Sequence, residues 1–191
     1  MPVQPHRDRS TFADRLAATA RSFDIPFDGE LFRFINPRYS KPADIISGAG
    51  ALHAAGRWNL PGMARLSYTA HSPETALAEI LAHVHYFRLP RSKALPTVLV
   101  ALRLNVSRAI DLRDRATRKM LPISENIIRH LDWRADNRRG KEAVTQAWGW
   151  AFVHAGFEAA IVPSAADPNG TNVLVFPDNL QDGSAFTVLT E

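Results

Sequence analysis

Cysteine is absent from the 191 residues, which excludes disulfide staples, thiolate metal sites and a cysteine nucleophile, and fits a reducing compartment. No apolar run is long enough to span a bilayer, and residues 1–10 are polar and proline-containing, without an apolar signal core. The expected location is therefore the cytoplasm. Internal repeats and low-complexity segments are missing as well. So are the glycine patterns of the common nucleotide sites, because Gly48-Ala49-Gly50 has neither the spacing nor the strand-to-helix context of a Rossmann or P-loop motif. Ser164 sits in Val-Pro-Ser-Ala-Ala, without the glycines of a nucleophile elbow. Among the seven histidines, His83 and His85 share one helical pattern. Residues two apart on a helix point in different directions, so they do not form the i, i+4 pair of zinc proteases. No catalytic metal is expected.

What is present suits one domain with a sizeable core. The net charge is +4 and the pI is near 9.8, a basic balance that fits nucleic acid, an acidic protein or a phosphorylated small molecule alike. The densest basic cluster is Arg134, Arg138, Arg139 and Lys141, interrupted by Asp132 and Asp136. It reads as a solvated, mobile loop ahead of a helix, since no recognition-helix, zinc-finger or stacking-platform pattern accompanies it.

Periodicity predicts an α+β chain. Residues 10–24 place Phe12, Leu16, Ala20 and Phe23 on one helical stripe, which is expected to pack on the domain because so short a helix is marginal alone in water. Residues 31–35 read as a strand with Arg33 on the same face as Leu31 and Ile35. An arginine there needs an anionic partner, either an internal carboxylate or a ligand phosphate. Residues 97–104 predict a central strand covered on both faces, and residues 110–112 a further short one. Helices are expected over 123–131 and 141–155, the second stopped by Gly156. Strands are expected at 159–162, 171–176 and 186–189, with a turn at Asp167-Pro168-Asn169-Gly170. Ser164 then follows one strand and Asn172 opens the next, so both can face one cleft.

Arg57, Tyr68 and Glu79 follow one another eleven residues apart, on a turn, a short strand and a helix. Ser72 suits the helix N-cap and Pro73 its first position. Leu77, Ile80, Leu81 and Val84 predict a core-facing stripe, which turns Glu79 the other way, among Thr75, Ala76, Ala82 and His83. These mostly small neighbours leave room for a ligand or another chain segment.

Several pieces, in order, resemble the RES domain family: Leu31-Phe32-Arg33-Phe34, Gly56-Arg57-Trp58-Asn59, Ser67-Tyr68-Thr69-Ala70, Ala76-Leu77-Ala78-Glu79, Val162-Pro163-Ser164 and Thr171-Asn172-Val173-Leu174. The resemblance covers about residues 28–180. It implies a RES domain over 28–191 after an extension over 1–27. It also implies an ADP-ribosyltransferase-like fold, with a split central sheet and peripheral helices. The implied activity consumes NAD+ by phosphorolysis, hydrolysis or ADP-ribosylation of a protein, as the toxin of a toxin–antitoxin pair. On this reading Glu79, Tyr68 and Arg33 are catalytic; Arg33 and Arg57 hold the pyrophosphate; Tyr68 stacks on nicotinamide; and Ser164 and Asn172 hydrogen-bond the cofactor or the acceptor. An Xre-like antitoxin is the implied partner, with nucleic acid reached only through it. The alternative is a catalytically inactive binding module with the same fold.

Overall fold

In the computed structural model, which describes residues 3–19, 22–88, 90, 92 and 95–189, two long strands form the spine. β1 (Ile25–Ile35) lies antiparallel to β3 (Val98–Asp111), and β6 (Ala185–Val188) pairs with the far edge of β3. A second antiparallel group comprises β2 (Ser67–Ala70), β5 (Thr171–Val175) and β4 (Ala159–Pro163). Two short seams join the groups. β4 runs parallel to Ala109, Ile110 and Asp111 at the end of β3, whereas β2 meets β1 at the Phe32–Ala70 pair. Beyond that pair β1 and β2 part, and Arg33 reaches across the opening to donate to Ser67 Oγ at 2.6 Å.

Alternation along β4 and β5 feeds two cores, one on each face. Ile161, Val173 and Val175 pack with Leu31, Leu102, Leu104 and Phe186. Ala160, Val162 and Leu174 turn instead to Leu16, Trp58, Trp148 and Phe152. The strand covered along its whole length is thus β4, with β5 buried from Val173 to Val175, rather than β3, whose Val98, Leu99, Arg103, Asn105 and Ser107 are exposed. β3 is central by pairing, and residues 110–112 contribute to its end instead of making a separate strand.

α1 (Arg9–Thr19) is shorter than the predicted 10–24, of which residues 20 and 21 lie outside the described residues. It packs on α7 (Val144–His154), with Phe12 stacked on Trp148 at 4.1 Å between ring centroids. The segment before β2 holds the short α2 (Pro42–Ile46). α4 (Arg115–Met120), α5 (Glu125–His130) and α6 (Trp133–Arg138) are each opened by a side-chain cap, from Asp114, Ser124 and Asp132 respectively. The basic cluster expected as a mobile loop is therefore ordered in large part as α6.

α3 (Pro73–Tyr86) is capped by Ser72, whose hydroxyl accepts the Thr75 N–H, and it lies against β1 and β2. The expected core stripe does not hold: Leu77 is 45% exposed, Ile80 and Leu81 are half-buried, and only Val84 is buried. Thr75 and Ala76 are buried instead. Small side chains let the helix approach the sheet closely, and that approach turns Leu77 outward and Glu79 toward the opening.

Candidate active site

The Gly56–Asn59 turn is built around one hydroxyl. Tyr68 Oη accepts the Trp58 N–H and donates to Asn59 Oδ1, both at 2.9 Å. Asn59 is fully buried and its amide donates to the carbonyls of Ala51 and Ala54. A Cβ at position 56 would fall 2.4 Å from the Tyr68 oxygen, so only glycine fits there. On the other side, Gln146 of α7 donates to the Gly56 and Asn59 carbonyls, and Gly149 lets the Trp58 backbone touch the helix. The turn is clamped on both sides, with Arg57 at its tip. Burial is the main force raising the Tyr68 pKa far above the ordinary tyrosine range, so the phenol stays neutral.

Glu79 meets the ends of β4 and β5. Ser164 Oγ and Asn172 Nδ2 both donate to Glu79 Oε1, each at 2.6 Å. Ser164 is itself fixed, because its hydroxyl accepts the N–H groups of Ala166 and Asp167 and its carbonyl accepts Arg129 Nη1. The Asp167–Gly170 turn is tied back to α3 through Thr75 Oγ1, which donates to Asp167 Oδ2 at 2.7 Å. Asn172 Oδ1 is buried without a partner.

These residues border a cleft of about 760 Å³ lined by Arg33, Gly48, Arg57, Tyr68, Glu79 and Arg134, among others. A recess of about 200 Å³ shares Arg33, Tyr68 and Glu79 with it and adds Phe32, Ala76 and Asn172. Arg33 donates to the Ile45 carbonyl and to Ser67, while its Nε is buried and unpartnered. Arg57 donates to the Leu131 carbonyl. Among the described residues neither guanidinium has a carboxylate within ion-pair distance, whereas ten other arginines do. Burial is the main force lowering both pKa values, and for Arg57 the Glu79 carboxylate opposes it. An arginine cannot shed its proton to escape such a site, so both remain desolvated cations.

Of the six residues singled out in the sequence, Arg33 on β1, Arg57 on its turn, Tyr68 on β2 and Glu79 on α3 line the cleft and Asn172 on β5 lines the adjoining recess, whereas Ser164, after β4, is fully buried and lines neither. The last two bind Glu79 directly. Tyr68 offers its ring to the cleft while its hydroxyl is engaged in the turn. Missed by sequence reasoning was Arg134, which lines the cleft from α6; the aromatic Trp133 beside it was the available signal. Among the described residues no group of three or more His, Asp or Glu side chains could hold a metal ion. Among the described residues no helix is long and apolar enough to cross a membrane.

A family model described as the RES domain matches residues 30–190. No curated protein matches the sequence significantly. Among solved structures, the fold is similar to a chain in the crystal structure of the M. tuberculosis MbcT–MbcA toxin–antitoxin complex. The TM-score is 0.70 at 21% identity, covering 94% of this chain and 89% of that one.

Proposed function

The chain belongs to the RES domain family, and from that premise we propose that it cleaves NAD+ at the nicotinamide–ribose bond as the toxin of a toxin–antitoxin pair. The observation that carries this reading is the Glu79 carboxylate, pinned through one oxygen in a cleft whose Arg33 and Arg57 form no ion pair among the described residues. The split between β1 and β2, with helices outside, suits an ADP-ribosyltransferase-like fold.

Breaking the nicotinamide–ribose bond sends the bonding electron pair to the leaving nicotinamide and leaves an oxocarbenium-like ribose, as in glycoside hydrolysis. Ser164 and Asn172 both occupy Glu79 Oε1, so Oε2 is left to engage the ribose and the positive charge developing on it. Arg33 and Arg57 would hold the pyrophosphate with planar forks matched to phosphate oxygens. The Tyr68 ring would bear on nicotinamide. The ADP-ribosyl carbon then passes to phosphate, water or a protein side chain. Its partner would be an antitoxin of the Xre-like kind that covers the cleft, and the cytoplasm is the proposed location. Incubating the purified protein with NAD+, with and without phosphate and cell extract, should release nicotinamide. Unchanged NAD+ and no labelled protein under all these conditions would overturn the reading.

A further inference from the structure

Arg134 occupies an odd place for a residue of a basic cluster. Its guanidinium carbon lies 4.3 Å from the ring centroid of Tyr86 and 4.3 Å from that of Trp133, with Phe87 at 5.7 Å. Stacking uses the flat faces of a guanidinium and leaves its N–H edge available. Among the described residues no ion pair or hydrogen bond takes up that edge, whereas Arg138 pairs with Asp132 at 3.8 Å and Arg139 with Asp136 at 2.7 Å.

Arg134 is also built into the cleft. Asn137 and Gln146 exchange amide hydrogen bonds of 2.8 and 3.0 Å, and Gln146 donates onward to the Gly56 carbonyl at 2.9 Å. Gln146 is fully buried. These bonds join α6, α7 and the Arg57 turn into one unit, which holds two like charges beside the same space. Burial depresses the Arg57 pKa first of all; the Glu79 carboxylate opposes that shift, and repulsion from Arg134 adds to it. Two cations kept together against their repulsion, neither held in an ion pair among the described residues, make a seat for a shared anion.

We propose that Arg134 is a substrate-binding residue that completes, with Arg57, a two-guanidinium seat for the phosphate groups of a dinucleotide. The identity of the dinucleotide rests on the reading of the cleft as a NAD+ site; the anion seat itself does not.

The test is calorimetric titration at low salt with inorganic pyrophosphate and with ADP-ribose. The proteins are the wild type, Arg134→Ala, Arg134→Lys and Arg7→Ala, the last removing an equal charge that is 89% exposed. Arg134→Ala should weaken both ligands by about tenfold or more, Arg134→Lys by less, and Arg7→Ala hardly at all. In NAD+ turnover Arg134→Ala should raise KM by about the same factor and leave kcat within about threefold. Equal weakening by Arg7→Ala, undiminished binding by a folded Arg134→Ala, or no pyrophosphate binding by the wild type would each overturn the seat. Should Arg134→Ala misfold by circular dichroism, Arg134→Lys decides, and its unchanged affinity would also count against the fork. Pyrophosphate binding that depends on Arg134 without any NAD+ cleavage supports the seat while refuting the proposed reaction.

Discussion

The Ser164 hydroxyl, fully buried at the end of β4, donates to the Glu79 carboxylate on α3 at 2.6 Å. This bond fixes the Glu79 side chain on a helix whose buried residues are Thr75, Ala76 and Val84. Because Asn172 donates to the same oxygen, the carboxylate is oriented without being consumed. Arg129, bonded to the Ser164 and Asp167 carbonyls, braces the loop that makes the orientation possible.

Replacing Glu79 by Gln keeps an oxygen for Ser164 and Asn172 while removing the charge. Turnover of NAD+ is expected to fall by about a hundredfold or more, on the order of 3 kcal/mol in the barrier, as when one preorganised stabiliser is deleted. The melting temperature should change little. Turnover and thermal unfolding measured on the same preparation check this; near-normal turnover in a stable protein would refute the charge-stabilising role.

Arg33 is held against its own solvation, so the free protein should gain little from keeping it. Arg33→Met relieves a desolvated cation and loses two hydrogen bonds, and stability is expected to move by no more than about 1–2 kcal/mol. Added ADP-ribose should raise the melting temperature of the wild type but not of the variant, since only native-state binding stabilises. A thermal-shift titration reads this directly, and an undiminished shift would remove Arg33 from the ligand site.

Tyr68→Phe preserves the ring and deletes the hydroxyl, leaving the Trp58 N–H without its acceptor and costing about 1–3 kcal/mol at neutral pH. The pH dependence has a definite sign. The folded-state pKa of Tyr68 is raised, so its contribution is complete below the unfolded tyrosine value of about 10 and is lost as pH rises from there toward the folded value. Urea unfolding from pH 8 upward should show the wild type declining above about pH 10 and Tyr68→Phe declining less steeply. Parallel profiles would show that the phenol is not protected.

Gly149→Ala would place a Cβ 1.9 Å from the Trp58 carbonyl oxygen. The gain in helix propensity, about 1 kcal/mol, is expected to be overwhelmed by a clash costing about 3 kcal/mol. Gly50→Ala meets no atom within 4 Å and should stay within about 0.5 kcal/mol of the wild type. Equilibrium unfolding of the two variants side by side distinguishes a clamped turn from a loosely packed one.

Local chemistry made much of this legible. The Ser72 cap, the turn at Pro168 and Asn169, the Gly156 stop and the β4 and β5 strands all follow from residue preferences that packing reinforces. Leu77 shows where such reading fails. Periodicity ranks residues by apolarity, but Thr75 and Ala76 win the buried face because they allow the backbone closer to the sheet. Arg134 was hidden for a related reason: a run of charges resembles solvent-facing chain until aromatic rings from two elements close around one of its members. The bonds from Ser164 and Asn172 to Glu79 span 85 and 93 residues, and no local pattern encodes a partner so distant.

That separation also sets a schedule. A ribosome adds roughly 5–20 residues each second, so α3 emerges seconds before the β4–β5 hairpin that must hold its carboxylate. Until β5 pairs with β2, Glu79 has neither donor, and a nascent or C-terminally clipped chain carries the residue without its orientation. The orientation of Glu79 thus arrives only with β5, giving a protein that binds the finished cleft time to be waiting for it.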